Sequence, residues 1–249
     1  MNLNKGIIIQ ARMGSTRLPN KILLPFYNDK GCIELLIDRI KEKIDIPIII
    51  ATSTSEKDNQ IEVLANKLNV LCFRGDEQNV LKRFIDCTET YKLDVIIRIC
   101  SDNPFLDVES LINLVNSSNV CDYESFWINE SPTIKTHFGF WAEKVSKNAL
   151  VKALSLTEDA FYHEHVTNFI YDNPELFKCH FNRINNEELS NLKIRLTLDT
   201  QNDFSTLSKL YQKMIENDLI FSIDTILHEI KKDQNYLIDM ESEIINNTK

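Results

Sequence analysis

Glycine is scarce in this sequence, with five residues in 249 where average usage is about 7%. The two common glycine-dependent phosphate loops, GxxxxGK[ST] and GxGxxG, are both absent. P-loop ATPase and dinucleotide-binding readings therefore lose their main support. No CxxC pair occurs among the six cysteines, which removes the usual thiol-redox and zinc spacings. Most of them lie in apolar stretches and read as reduced thiols. No run of about 18 apolar residues appears, and "MNLNKGIIIQ" is too short an apolar start for a leader. The expectation is a cytoplasmic protein that does not enter a membrane. An excess of positive charge is missing too: the formal net charge is -9. Proteins that coat nucleic acid rely on counterion release by many Lys and Arg, so no nucleic-acid partner is expected. A small anion in a local basic pocket stays possible.

What is present is an alternation. Apolar runs at 7–10, 47–51, 70–73 and 95–99 read as buried strands. Segments of helical period lie between and after them, at 33–43, 56–68, 79–91 and 108–116. The pattern predicts an α/β fold, a Rossmann-like, mainly parallel sheet covered by helices on both faces. Beyond residue 116 the register is less regular. Strands are expected at 120–127, 136–141, 177–182 and 193–198, and helices at 146–154, 159–171, 202–216 and 222–231, before a polar tail that frays at "IINNTK". With no linker or repeat, residues 1–249 read as a single domain carrying a small β-rich insertion near 120–145.

The loop after the first strand, "QARMGSTRLPNK", concentrates chemistry. It holds a glycine turn at Gly14, hydroxyls at Ser15 and Thr16, and cations at Arg12, Arg17 and Lys21. In open parallel sheets, ligands bind beyond the C-terminal ends of the strands, and this loop leaves the first strand there. Backbone N–H groups near Gly14 suit a phosphate. Arginines grip phosphate oxygens bidentately and lysine acts as a point charge. Two acids follow strand ends in the same manner: Asp102 after 95–99 and Asp199 after 193–198. Read from the residues alone, each is also an ordinary turn or capping aspartate. Mg²⁺ takes one or two carboxylates together with substrate phosphates.

These residues resemble a known family. "IIIQARMGSTRLPNKIL" is similar to the N-terminal signature of cytidylyltransferases of the spore-coat-polysaccharide type, relatives of the enzymes that make CMP-sialic acid and CMP-3-deoxy-manno-octulosonate. "FRGDEQNVLKRF", "IIRICSDNPFLD", "HEHVTNFIYDNPELF" and "IRLTLDTQNDF" resemble the family's later blocks, in the same order and along nearly the whole chain. The resemblance implies a nucleotide-diphospho-sugar transferase type of fold and a Mg²⁺-dependent transfer of CMP from CTP to a sugar-type acceptor, with release of pyrophosphate, for a surface polysaccharide.

Residue by residue, it implies nucleotide binding by Ala11, Arg12, Gly14, Ser15, Arg17, Lys21, Thr52, Ser53, Arg74 and Gly75. Arg12, Lys21 and Asp102 would be catalytic, and Asp102 and Asp199 would bind the metal. Trp141, His165 and Asn168 would face the acceptor. Trp141 stands where many relatives carry an acid, so the acceptor itself stays open: a sugar acid, a sugar phosphate or another phosphorylated alcohol. Relatives also imply a homodimer through the 120–145 insertion. Three rivals remain at this point: a nucleotidyltransferase using another triphosphate, a nucleotide-sugar-dependent glycosyltransferase, and a non-catalytic nucleotide-binding regulator. The glycosyltransferase would show DxD after a strand, and "CSDNP" is not DxD.

Overall fold

The computed structural model describes residues 3–247. Strands β1 (Lys5–Gln10), β2 (Ile48–Ser53), β3 (Leu71–Gly75) and β4 (Val95–Cys100) lie parallel in the order β3-β2-β1-β4. Successive side chains of a strand point to opposite faces. Accordingly Ile7, Ile9, Ile50, Ile97 and Ile99 belong to one apolar core, while Ile8, Ile49 and Ile96 belong to the other. Burial on both faces explains why these strands are unbroken isoleucine-rich runs rather than alternating ones. Helix α1 (Cys32–Lys41) packs on the first core and α3 (Val80–Thr90) on the second, with α2 (Asn59–Lys67) crossing from β2 to β3. Helix α4 (Val108–Asn116) is capped by Asp107, whose carboxylate accepts the Ser110 N–H at 2.9 Å.

The sheet continues with a change of direction. β7 (Glu143–Ser146) runs antiparallel to β4, and β5 (Tyr123–Ile128) runs antiparallel to β7. β8 (Cys179–Arg183) pairs parallel with β5, and the short β6 (Ser131–Pro132) closes the edge. Residues 136–141 are therefore not a strand. Gly139 there has φ +65, and a side chain at that position would meet the Leu196 carbonyl oxygen at 2.9 Å. Only glycine combines that backbone conformation with so close an approach.

Residues 193–198 form no regular element and join no ladder. Single bonds hold them, from Leu196 N–H to the His137 carbonyl at 2.8 Å and from Leu198 N–H to the Asp102 carbonyl at 2.9 Å. After α5 (Lys147–Leu156), the expected helix over 159–171 splits into α6 (Ala160–Glu164) and α7 (Asn168–Asp172). Val166 lies between them at φ +45, a conformation that a β-branched residue adopts only when its surroundings impose it. Helices α8 (Glu187–Asn191), α9 (Gln201–Glu216), α10 (Ile223–Lys232) and α11 (Gln234–Asn246) complete the chain. α11 replaces most of the expected polar tail, because Met240 is buried and Leu237 packs on the core; Thr248 and Lys249 lie outside the described residues. No helix among the described residues is long and apolar enough to cross a membrane.

Candidate active site

A cavity of about 370 Å³ opens over the C-terminal ends of β1 and β4. The loop from Gly14 to Lys21 forms one wall, Cys100 to Asp102 the floor, and Glu164, His165 and Asp199 the far side. Segments far apart in the chain meet at one ammonium group. The Nζ of Lys21 donates to Asp102 Oδ2 at 2.7 Å, to Asp199 Oδ1 at 2.8 Å and to the Leu198 carbonyl at 2.7 Å. Burial alone would depress this ammonium; the two carboxylates more than reverse that and raise it, so Lys21 is cationic at neutral pH. Arg17 reaches Asp199 Oδ1 at 3.2 Å. Arg12 pairs with Glu164 at 2.6 Å across the cavity mouth.

The convergence has a local cause on each side. The bond from Leu198 N–H to the Asp102 carbonyl sets the two aspartates beside each other. Asp199 is then fixed by Arg195, a fully buried guanidinium that donates to Asp199 Oδ2 at 3.0 Å and to both oxygens of Asp203. Asp203 also accepts the N–H groups of Asp199 and Thr200 at 2.9 Å, closing a capping box on α9. On the other wall, the buried Asp58 accepts from Met13 N–H at 2.8 Å, Ser53 N–H at 3.1 Å and Ser53 Oγ at 2.5 Å. It ties the cationic loop to the end of β2. Burial pushes its carboxyl up, but those donors outweigh burial and hold it below the usual range.

Arg12, Gly14, Ser15, Arg17, Lys21, Asp102, His165 and Asp199 thus meet at one cavity. Gly14 has no φ in the left-handed region and open space where a side chain would stand. Its turn does not demand glycine; what glycine keeps clear is the cavity wall. The remaining sequence-selected residues lie elsewhere. Ala11 is buried, its N–H on the Ala51 carbonyl at 3.2 Å. Thr52, Ser53 and Gly75 are buried at the ends of β2 and β3. Arg74 braces the loop after β2, donating to the Ser53 and Ser55 carbonyls and to Glu62. Asn168 accepts a hydrogen bond from the Tyr171 hydroxyl at the start of α7. Trp141 packs among Phe126, Phe138 and Phe140 and lines a second, smaller cavity behind Asp102.

Glu164, Asp58 and Arg195 escaped sequence reasoning. Only Arg195 left a trace: it stands four residues before Asp199 and eight before Asp203. Among the described residues no cluster of three or more His, Cys, Asp or Glu exists, so an all-protein metal cage is not present. Two adjacent carboxylates beside a cationic phosphate-sized cavity do fit Mg²⁺, which completes its shell with substrate oxygens and water.

Comparison with known proteins bears on the same geometry. The family model described as cytidylyltransferase matches residues 6–232. The chain belongs to the cytidylyltransferase family. It is 39% identical over 221 residues to an uncharacterized protein of Methanocaldococcus jannaschii, covering 87% of this chain and 85% of that one. It is 36% identical over 213 residues to the spore coat polysaccharide biosynthesis protein SpsF of Bacillus subtilis, covering 83% and 85%. Among solved structures, a cytidylyltransferase from Leptospira borgpetersenii superposes with a TM-score of 0.83 at 27% identity, covering 95% of this chain and 97% of that one. As a cytidylyltransferase the chain is a CTP-dependent nucleotidyltransferase. Its fold is that of the nucleotide-diphospho-sugar transferases.

Proposed function

We propose that this cytidylyltransferase uses Mg²⁺ to transfer CMP from CTP to a hydroxyl of a sugar-type acceptor, for a surface polysaccharide. The observation that carries the reading is the Lys21 ammonium clasped by Asp102 and Asp199 on the floor of a cavity walled by Arg12 and Arg17. A hydroxyl oxygen of the acceptor forms a bond to the α-phosphorus as the bond to the β-phosphate bridging oxygen breaks. Pyrophosphate leaves with that electron pair, and the hydroxyl proton passes to water. Lys21, Arg12 and Arg17 bind the non-bridging oxygens where negative charge grows on the leaving group. Asp102 and Asp199 would hold Mg²⁺, which when bound neutralises phosphate charge and polarises the α-phosphorus. Asp58 and Arg195 keep the two walls in register, so the reacting groups meet without a search.

Cytosine is read near the ends of β2 and β3, where Thr52, Ser53, Arg74 and Gly75 lie. His165 and Asn168 belong to the acceptor side, and the segment near 120–145 to a homodimer interface that sedimentation would reveal. The test is pyrophosphate release from CTP, UTP, GTP and ATP in turn, against sugar acids, sugar phosphates and phosphorylated alcohols. Release with CTP and one acceptor class is the expected result. Triphosphate binding without release under any acceptor would favour a regulator instead.

A further inference from the structure

The second cavity, about 100 Å³, adjoins the first at Cys100 and Asp102, which line both. Its other walls are Asn103, residues of the segment 133–141 and Thr197; the last two overlap the stretches 136–141 and 193–198 that sequence patterning took for strands. Two of its wall residues carry an orphaned polar atom. Trp141 is 5% exposed and Thr197 6% exposed, yet the indole Nε1 and the hydroxyl Oγ1 have no hydrogen-bond partner among the described residues. Buried polar groups are nearly always paired, because one left unpaired loses its hydration with nothing in return. Two of them on the wall of one cavity, beside the metal-binding floor proposed above, mark a place where a ligand supplies the partners.

The chemistry of the walls restricts that ligand. Among the described residues no Lys, Arg or His lines the cavity, and its single charged group is the Asp102 carboxylate. An anion entering would lose its hydration, meet no cation and face a like charge. The indole N–H is a donor only, so the ligand must bring an acceptor oxygen; the Thr197 hydroxyl takes either role. Asn103, Thr133 and Thr136 add further polar walls. The space is too small for a nucleotide and suits one arm of a larger molecule.

We infer that this cavity is the specificity pocket for the acceptor, and that it receives an uncharged, oxygen-bearing arm such as a hydroxymethyl or acetamido group. This rests on the transfer reading above and sharpens it. Any carboxylate or phosphate of the acceptor lies outside this pocket, towards Arg12 and Arg17. The two orphaned atoms act by positioning: held through them, the acceptor presents its hydroxyl at the Asp102 boundary, where the α-phosphorus must be met.

The test uses acetamide and acetate, a neutral and an anionic probe of nearly the same shape. The indole N–H signals of the intact protein are followed by NMR, with Trp127→Phe identifying that of Trp141. Acetamide is expected to move the Trp141 signal downfield in a saturable way, and acetate to move it at least tenfold less. Thr197→Val, which removes the hydroxyl at constant shape, should weaken the acetamide response several-fold with no loss of thermal stability; Thr197→Ser should retain it. An equal response to acetate, or none to acetamide, overturns the inference. Pyrophosphate release from CTP is measured separately, so failure of the transfer reading shows there and not in the probe response.

Discussion

Two clusters of opposite charge sit within reach of the same cavity, and they are built differently. At the floor, Lys21 joins two aspartates with side-chain exposures of 26% for Asp102 and 9% for Asp199, from segments otherwise remote. Along one wall, Arg98 is paired with Glu143, whose other oxygen accepts from the Tyr123 hydroxyl at 2.6 Å and the Thr167 hydroxyl at 2.9 Å. Arg98 also donates to the Gln10 side-chain oxygen at 3.0 Å. The Glu143 cluster is closed: both carboxylate oxygens are paired, only Arg98 Nε lacks a partner among the described residues, and its bonds lock β1, β4, β5, β7 and the start of α7 together. The Lys21 cluster stands at the edge of open space, with a carboxylate that is partly solvated. A closed pair of buried charges holds a fold, whereas an open one beside a cavity can exchange partners with a ligand. On the transfer reading proposed above, chemistry belongs to the Lys21 cluster and positioning to the Glu143 cluster.

The largest effect should come from breaking the closed cluster. Glu143→Ala leaves Arg98 buried without its carboxylate, which costs about 3–5 kcal/mol. In a chain of this length that lowers Tm by roughly 6–20 °C, while activity per folded molecule at low temperature falls little. Calorimetry together with active-site titration checks the split. Asp102→Asn should do the reverse. Pyrophosphate release falls by about 10²–10³, while Tm moves little, because Lys21 keeps Asp199 and the Leu198 carbonyl. Equal damage to Tm and activity in both variants would erase the distinction between the clusters.

Asp58→Asn sharpens the comparison at intermediate size. It weakens the carboxylate that gathers Met13 and Ser53, with an expected loss of about 1–3 kcal/mol and a raised KM for CTP as the cationic loop loosens. Its pH dependence has a fixed sign. The native carboxyl titrates below its unfolded value of about 3.9, so its contribution is present above that pH and disappears as pH falls through the native value. Denaturant melts should show the wild type losing its advantage over Asp58→Asn only below about pH 4. The smallest effect is expected from Lys21 near neutral pH. Its native value is raised, so its contribution is complete below about 10.4 and is lost only as pH rises through the native value. Stability between pH 6 and 9 should therefore be flat for this group, about as it is for any ordinary lysine.

Much of this was legible in the sequence, and unevenly so. The parallel half reads directly, because strands buried on both faces must be continuous apolar runs and the helices between them keep a clean period. The α4 boundaries follow from Asp107 and the apolar spacing after it. The second half resists. Val166 breaks a helix with no breaker in the sequence, since the bond from Thr167 Oγ1 to Glu143 and the packing of a fully buried Val166 act across the fold. Residues 136–141 and 193–198 have strand-like composition but line a cavity instead of pairing. Lys21, Asp102 and Asp199 were visible because each follows an apolar run that reads as a strand, although 193–198 pairs with none. Glu164, Asp58 and Arg195 were not, because their roles depend on which partner the tertiary structure brings to them.

The most direct test of the central claim is crystallographic. Crystals grown with CTP and Mn²⁺, recorded at an anomalous wavelength for manganese, would locate the triphosphate and the ion together. A manganese peak within bonding distance of both Asp102 and Asp199, with the phosphates against Arg12, Arg17 and a displaced Lys21, is the predicted result. Triphosphate bound elsewhere, or an ion touching neither aspartate while Lys21 keeps both, would contradict it.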